Sequence, residues 1–333
     1  MLRYKFISTI NLFGLTMGLT CCLLIAAYIH RELSFDKYHK NADNIYRLTR
    51  NFYTQDGTLA LKLSSVSPPF GHYMPSEFPE FQKMTRLLNF PTIPLMVGEK
   101  RFNEAGLFIA DEFLFDVFDV EVIKGNPKSA LVDPYSIMLS EEMAKKYFGA
   151  ADPMDKSIRY NSTFDLKVTG VYKSFPSNSH IRPEMLLSFS TLRDNTVYGE
   201  ERLRRNWGNN AFLTYVLLPQ GHDVQQTINR FPSFIDKHLQ MEYAGNQPSK
   251  MTTLDLQPLT SIHLHSNLDD EGGRNSDIKR VYIFSAIAIF ILLIACINYM
   301  NLSTARSSLR AREIGIRKAV GAGKKIIGIA VFE

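Results

Sequence analysis

The densest set of metal-ligating side chains in this 333-residue chain is His263-Leu264-His265, followed closely by Asp269, Asp270 and Glu271. On a strand, residues at i and i+2 face the same side, so the two imidazoles would point together as a metal site requires. The spacing matches no recurrent zinc pattern, and a solvated loop leading to an apolar run explains the same residues. Gly323-Lys324 resembles the end of a phosphate-binding loop, but Lys325 follows where Ser or Thr is needed, and Lys318 stands where the first glycine belongs. No serine sits in a Gly-x-Ser-x-Gly elbow. Glu141/Glu142 and Glu200/Glu201 read as exposed helix or loop charges. Nothing here argues for an enzyme, and no cofactor or metal is expected.

The elements around these residues carry more information. From Phe6 to Ile29, and again from Val281 to Ala305, no formal charge appears over 24 and 25 residues. At about 1.5 Å rise per residue, either run exceeds the roughly 30 Å hydrocarbon core of a bilayer. Both are predicted transmembrane helices. A cleaved signal peptide is a poor account of the first, because its apolar region is too long and no small-x-small cleavage site precedes Tyr28-Ile29-His30. Cys21 is no lipidation site either, since Thr20 precedes it and Leu23-Leu24-Ile25 continue the run.

Charge then sets the orientation. The chain's net charge of +5 divides into +7 at the two ends and −2 between the runs, which hold 29 basic and 31 acidic residues. Lysine and arginine crowd the cytoplasmic side of membrane segments. Residues 1–5 and those from Arg306 onward are therefore expected inside, and 30–280 outside. The basic balance marks topology and is no footprint for nucleic acid. Cys21, Cys22 and Cys296 all lie in the apolar runs, so no disulfide can staple the outer region. About 250 residues are enough to bury a core without one.

That region reads as α+β, an extracytoplasmic domain inserted between two transmembrane α-helices. Strand-like runs flank Asp56-Gly57 and again Gly98-Glu99, both hairpin signals. Ser140 to Phe148 predicts a helix with Ser140 as N-cap and Gly149 beyond its end. "FDLKVTGVYKSF" and "AFLTYVLL" predict strands, and Gln225 to Met241 an amphipathic helix. "SFPSNSHIRP" (Ser174 to Pro183) and "PQGHD" (Pro219 to Asp223) read as loops. No repeat or low-complexity stretch interrupts them.

Within the membrane runs, Gly14 and Gly18 share one helix face and would let another helix approach closely. Asn298 and Asn301 would be costly facing lipid, which points them to neighbouring helices or to the interface. Beyond the second run, Arg306, Arg310, Glu313 and Arg317 form a charged helical stripe beside Leu309, Ile316 and Val320. Gly321 and Gly323 then break the helix and an apolar stretch resumes, as for a helix lying on the inner membrane surface before the chain re-enters.

"ACINYMNLSTARSSLRAREIGIRKAVGAGKK" resembles the segment after the second membrane helix of FtsX/MacB-type ABC transporter permeases. "NLFGLTMGLTCCLLIAAYIHRELSFDKYHKNADNIYRLTR" is similar to their first helix and the start of their outer domain. "SEEMAKKYFGAADPMDKSI" and "LKVTGVYKSFPSNSH" resemble the MacB-like periplasmic core domain. Asp155 stands where the family often has glycine, which touches one turn.

The resemblance implies spans at 6–29 and 281–305, a MacB-like outer domain at 30–280, a coupling helix at 306–323 and the start of a further span at 324–333. Since family members continue through further membrane helices, the sequence resembles a C-terminally shortened piece of a longer permease. It implies a bacterial inner-membrane protein whose ATP-binding subunit is a separate partner, contacted through Arg306, Arg310, Arg312, Glu313, Ile314, Gly315, Arg317 and Lys318. It further implies a second permease copy or homologue in a dimer, membrane lipid as surroundings, and a periplasmic adaptor or cargo protein outside. A two-helix receptor with a ligand-sensing outer domain would share this topology as far as Arg306. Its tail would continue into heptads or a kinase module, which the glycines and the apolar ending do not resemble.

Overall fold

The computed structural model describes residues 2–160, 163–243, 247–271 and 275–319. Two compact units divide the chain. One holds the terminal segments, up to Leu33 and from Ile278, and the other is Ser34–Asp277.

The terminal unit is a pair of long helices, Leu2–Leu33 and Ile278–Ala319. Each contains a stretch long and apolar enough to cross a membrane, Leu12–Leu33 and Ile278–Asn301. Their 22 and 24 residues correspond to roughly 33 and 36 Å of helix. The helices pack on each other: Cys22 Sγ lies 3.4 Å from the Ala288 carbonyl, and the Tyr28 and Phe284 rings meet edge to face at 5.2 Å. The second helix differs from the sequence expectation of a separate surface helix after Ala305. Its backbone is unbroken to Ala319, because neither proline nor glycine occurs before Gly315 to kink it. Val320, Gly321, Gly323 and segment 324–333 lie outside the described residues.

The other unit is built on one 13-stranded mixed sheet. The strands are β1 (Ile45–Tyr53), β2 (Leu59–Leu63), β3 (Lys83–Asn89), β4 (Ile93–Val97) and β5 (Lys100–Glu104). They continue with β6 (Leu107–Ala110), β7 (Val122–Lys124), β8 (Ser136–Ser140), β9 (Ser157–Tyr160) and β10 (Phe164–Tyr172). The last three are β11 (Met185–Ser188), β12 (Phe212–Leu217) and β13 (Thr252–Pro258). Their order is β13-β1-β12-β3-β6-β11-β8-β10-β9-β4-β5, with β2 on β1 and β7 on β10. Among the described residues, only β6/β11 and β8/β10 run parallel. Short connections favour antiparallel neighbours, whereas each parallel pair needs a longer crossover.

Both glycine hairpins form as read, β1/β2 around Asp56-Gly57 and β4/β5 around Gly98-Glu99. The helix Glu141–Phe148 begins at Ser140, whose Oγ accepts from the Met143 amide, and stops at Gly149 with φ of 63°. Asp155 adopts φ of 60°, a conformation natural to glycine that aspartate tolerates. The stretch from Gln225 to Met241 is not one helix. It divides into Val224–Ile228 and Phe231–His238, because Pro232 has no amide to continue the first ladder. Apolar residues cover both faces of the sheet. Phe70, Trp207, Val216, Phe231 and Phe234 lie in one cluster, and Leu87, Phe118, Tyr172 and Leu186 in another.

Candidate functional site

The outer unit buries several charged groups, and Asp36, Arg47 and His180 among them are joined by contacts to its two chain ends. Ser34–His39 follow the first long helix directly, and Asp269–Asp277 directly precede the second. Between them lies a polar row on the sheet. Arg47 of β1 is the cross-strand partner of Tyr215 on β12 and of Gln257 on β13, so the three side chains lie side by side.

Arg47 is 2 % exposed. Its Nη2 donates to Gln257 Oε1 at 2.6 Å, to Ser266 Oγ at 2.9 Å and to Glu271 Oε1 at 2.5 Å. The neighbouring acids are also engaged: Asp269 accepts from the Lys62 amide at 2.7 Å, and Asp270 from the Ser64 amide and the Ser65 hydroxyl, both at 2.5 Å. Asp269, Asp270 and Glu271 are thereby tied to β1, to β2 and to the residues that follow β2. A guanidinium this deep is tolerated because its carboxylate and neutral acceptors replace water. Removing the carboxylate alone would leave a buried charge, at a cost of about 3–5 kcal/mol.

The segment after the first helix is held on the other side of the row. Asp36 is fully buried, with φ of 57°. Its Oδ1 accepts from the His180 amide at 3.1 Å and Ser179 Oγ at 3.2 Å, and lies 2.9 Å from His180 Nδ1. The Asp36 amide donates to the Asn178 carbonyl, and Asn178 Nδ2 returns to the Ser34 carbonyl at 3.0 Å. His180 Nε2 in turn lies 2.7 Å from the Tyr215 hydroxyl. Asp36, His180, Tyr215, Arg47 and Glu271 therefore succeed one another across the sheet and join the two ends of the unit.

The electrostatics follow from this packing. Burial would raise the Asp36 carboxyl, but the charge and hydrogen bonds of His180 outweigh it and hold the group below its ordinary value. Burial drives the Tyr215 hydroxyl well above its usual range, so it stays protonated. His39 is pulled down to about 4, chiefly by burial and against the attraction of Asp36 and Asp119. Its Nδ1 accepts from the Asp119 amide at 3.0 Å.

The backbone differs from the strand considered for the histidine pair. His263 and His265 lie on a helical turn, Ile262–His265, and not on a strand. His263 is buried and stacks on Phe35 at 3.3 Å, whereas His265 is exposed. The nearby carboxylates already accept from amides, hydroxyls and Arg47. Among the described residues, no group of three His, Cys, Asp or Glu is arranged to hold a metal ion.

In the helical unit, a Cβ on Gly18 would stand 3.5 Å from Ala295 Cβ and 3.6 Å from Ile291 Cγ2, so this glycine sits at the helix contact. A Cβ on Gly14 would meet nothing within 4 Å. Asn298 and Asn301 are exposed on the second helix. Arg306, Arg310, Arg312, Glu313, Ile314, Gly315, Arg317 and Lys318 all fall on its continuation, where Arg312 and Gly315 are exposed. Sequence reasoning missed the polar row. Its signal was present in "IYRLTRNFY", a strand whose arginines occupy positions that a half-buried strand gives to apolar residues.

The family described as MacB-like periplasmic core domain matches residues 8–233. Two proteins named macrolide export ATP-binding/permease protein MacB, from Neisseria gonorrhoeae and Neisseria meningitidis serogroup A, are each 22% identical to this chain, over 226 and 236 residues. These matches cover 68% of this chain and 30% of theirs, so the chain spans about a third of the length of the curated relatives it matches. A crystal structure of a permease-protein domain from Porphyromonas gingivalis superposes with a TM-score of 0.57 at 23% identity, covering 74% of this chain and 98% of that domain. That likeness is one of fold. With more than half of its residues matched, the chain belongs to the MacB-like periplasmic core domain family.

Proposed function

We propose that this chain is the membrane part of an ABC transporter permease in a bacterial inner membrane, and that it converts ATP hydrolysis on a separate partner subunit into movement of its outer domain. The observation that carries the reading is the clamp. Asp36, three residues after the first helix, and Glu271, seven residues before the second, are fixed to one row of the sheet. A flexible connection of four residues would spread over roughly 10 Å and absorb a small helix displacement. A hydrogen-bonded one, such as Ser34–Asp36 after the first helix, passes the displacement on.

In this reading the segment from Arg306 to Lys318 contacts the ATP-binding subunit, two permease copies or homologues pair in the membrane, and an adaptor or cargo protein is handled outside. The relatives' name, which joins ATP binding with a permease and macrolide export, supports the transporter class. Cargo of this chain is a separate matter. The positive charge at both ends supports placing residues 34–277 outside.

The test uses the full-length protein with its ATP-binding subunit. Screened surface cations are interchangeable to first order, whereas a docked helix depends on particular side chains and close backbone approach. Glu313→Lys and Gly315→Leu are expected to preserve membrane insertion while reducing co-purification of the ATPase or uncoupling its hydrolysis. A Cβ at Gly315 meets nothing within 4 Å in this chain, so a defect would arise at the partner and not within the helix pair. Unchanged binding and stimulation in both variants would reduce the segment to a positively charged anchor.

A further inference from the structure

A cavity of about 670 Å³ opens beside the clamp, lined by Arg47, Tyr215 and Glu271 on one side and by Phe90, Phe108 and Leu213 on another. Its volume lies within the range of small-molecule sites. Most of the charge in it is already matched within the protein. Glu271 is bonded to Arg47 and Ser266, Asp270 to Ser64 and Ser65, and His180 to Asp36 through its amide and to Tyr215 through Nε2. Arg182 is the exception. It lines the same cavity and is only partly exposed, its Nε is buried without an acceptor, and no acid pairs with it among the described residues. Three further buried nitrogens of lining residues, Arg47 Nε, His180 Nδ1 and Asn275 Nδ2, also lack hydrogen-bond partners among the described residues.

A guanidinium left unsatisfied at the edge of an aromatic cavity calls for a planar acceptor, and a carboxylate matches its fork with two parallel hydrogen bonds. A doubly charged phosphate fits less well, because its second charge would face Asp270 and Glu271 in the same space. Phe90, Pro91, Phe108 and Leu213 give the rest of the ligand an apolar wall to lie along. We propose that this cavity is a binding site for the carboxylate end of an apolar molecule, with Arg182 as its anion anchor. Two sources share that chemistry, the C-terminus of an apolar peptide and a fatty acid. The inference is independent of the permease reading, since it needs only the outer unit.

Titration calorimetry on the full chain in lipid nanodiscs tests it with three probes: acetyl-Leu-Phe with a free carboxylate, the same dipeptide as its amide, and decanoate. At least one carboxylate probe should bind saturably, and losing a charged hydrogen-bonded pair should weaken the amide or the Arg182→Gln variant by about 10-fold or more. Dipeptide binding identifies a peptide source, and decanoate binding alone identifies a fatty-acid source. Arg182→Lys, which keeps the charge without the fork, should bind at an intermediate level and gives a second readout should the glutamine variant fail to fold. Absence of saturable binding by both carboxylates overturns the proposal. So does equal binding of acid and amide, or affinity unchanged in both Arg182 variants.

Discussion

His39 converts the burial of the first chain end into a measurable pH dependence. Its pKa is about 4 in the folded protein, lowered mainly by burial, against an ordinary value of 6.5. The unfolded chain therefore binds the proton more readily, and stability contributed by neutral His39 is complete above pH 6.5. It is lost as pH falls from 6.5 towards 4, and no further loss follows below the folded value. Evaluated at pH 4.5, the linkage amounts to about 2.5 kcal/mol relative to neutral pH. Trp207, the chain's sole tryptophan and buried in the outer unit, reports unfolding by fluorescence in urea. With a typical denaturant slope, the loss corresponds to a midpoint shift of roughly 1 M. His39→Gln isolates the effect, because an amide oxygen can still accept from the Asp119 amide but does not titrate in this window. Groups remote from His39 titrate in both proteins and cancel in the difference. Asp36, whose folded pKa is lowered, keeps its contribution above the usual carboxylate range and loses it as pH falls through its own lower value. An equal midpoint shift in the wild type and in His39→Gln would refute the reasoning.

Glu271→Gln should destabilise the outer unit by about 3–5 kcal/mol by stranding the Arg47 charge, while the double change Arg47→Met with Glu271→Leu should recover most of that loss, as a double-mutant cycle in urea would report. Gly125 has φ of 88°, and a Cβ there would run into the Thr169 carbonyl and stand 3.0 Å from Gly170 Cα. Gly125→Ala is therefore expected to lower stability by more than about 1 kcal/mol, and a wild-type midpoint would contradict it. Asn126→Cys and Ser308→Cys should react with an impermeant thiol reagent from opposite sides of the membrane, and labelling of both from outside would overturn the orientation.

Local signals proved readable where one residue sufficed to create them. Gly57 and Gly98 supply the positive φ of their hairpins, Ser140 caps its helix through its own hydroxyl, and the uncharged runs declare the long helices without tertiary help. The helix read from Gln225 to Met241 failed because its apolar spacing continues through Pro232, which keeps the pattern and removes the hydrogen bond. The alternation at His263 and His265 fits a strand as well as a helical turn, and the backbone makes the turn. The clamp was unreadable for a different reason. Asp36 and His180 are 144 residues apart, and Arg47 and Glu271 are 224 apart. No local pattern brings such residues together, and only the β12-β1-β13 order of the sheet places them in one row.

The most direct test of coupling is a distance measurement in the full-length permease, assembled as a dimer with its ATP-binding subunit and spin-labelled through Asn126→Cys in both copies. ATP should shift the distance distribution between the labels. Breaking the clamp with the Arg47→Met and Glu271→Leu pair should abolish the shift while hydrolysis continues. An identical shift with the clamp broken, or none in the intact protein, would contradict the account.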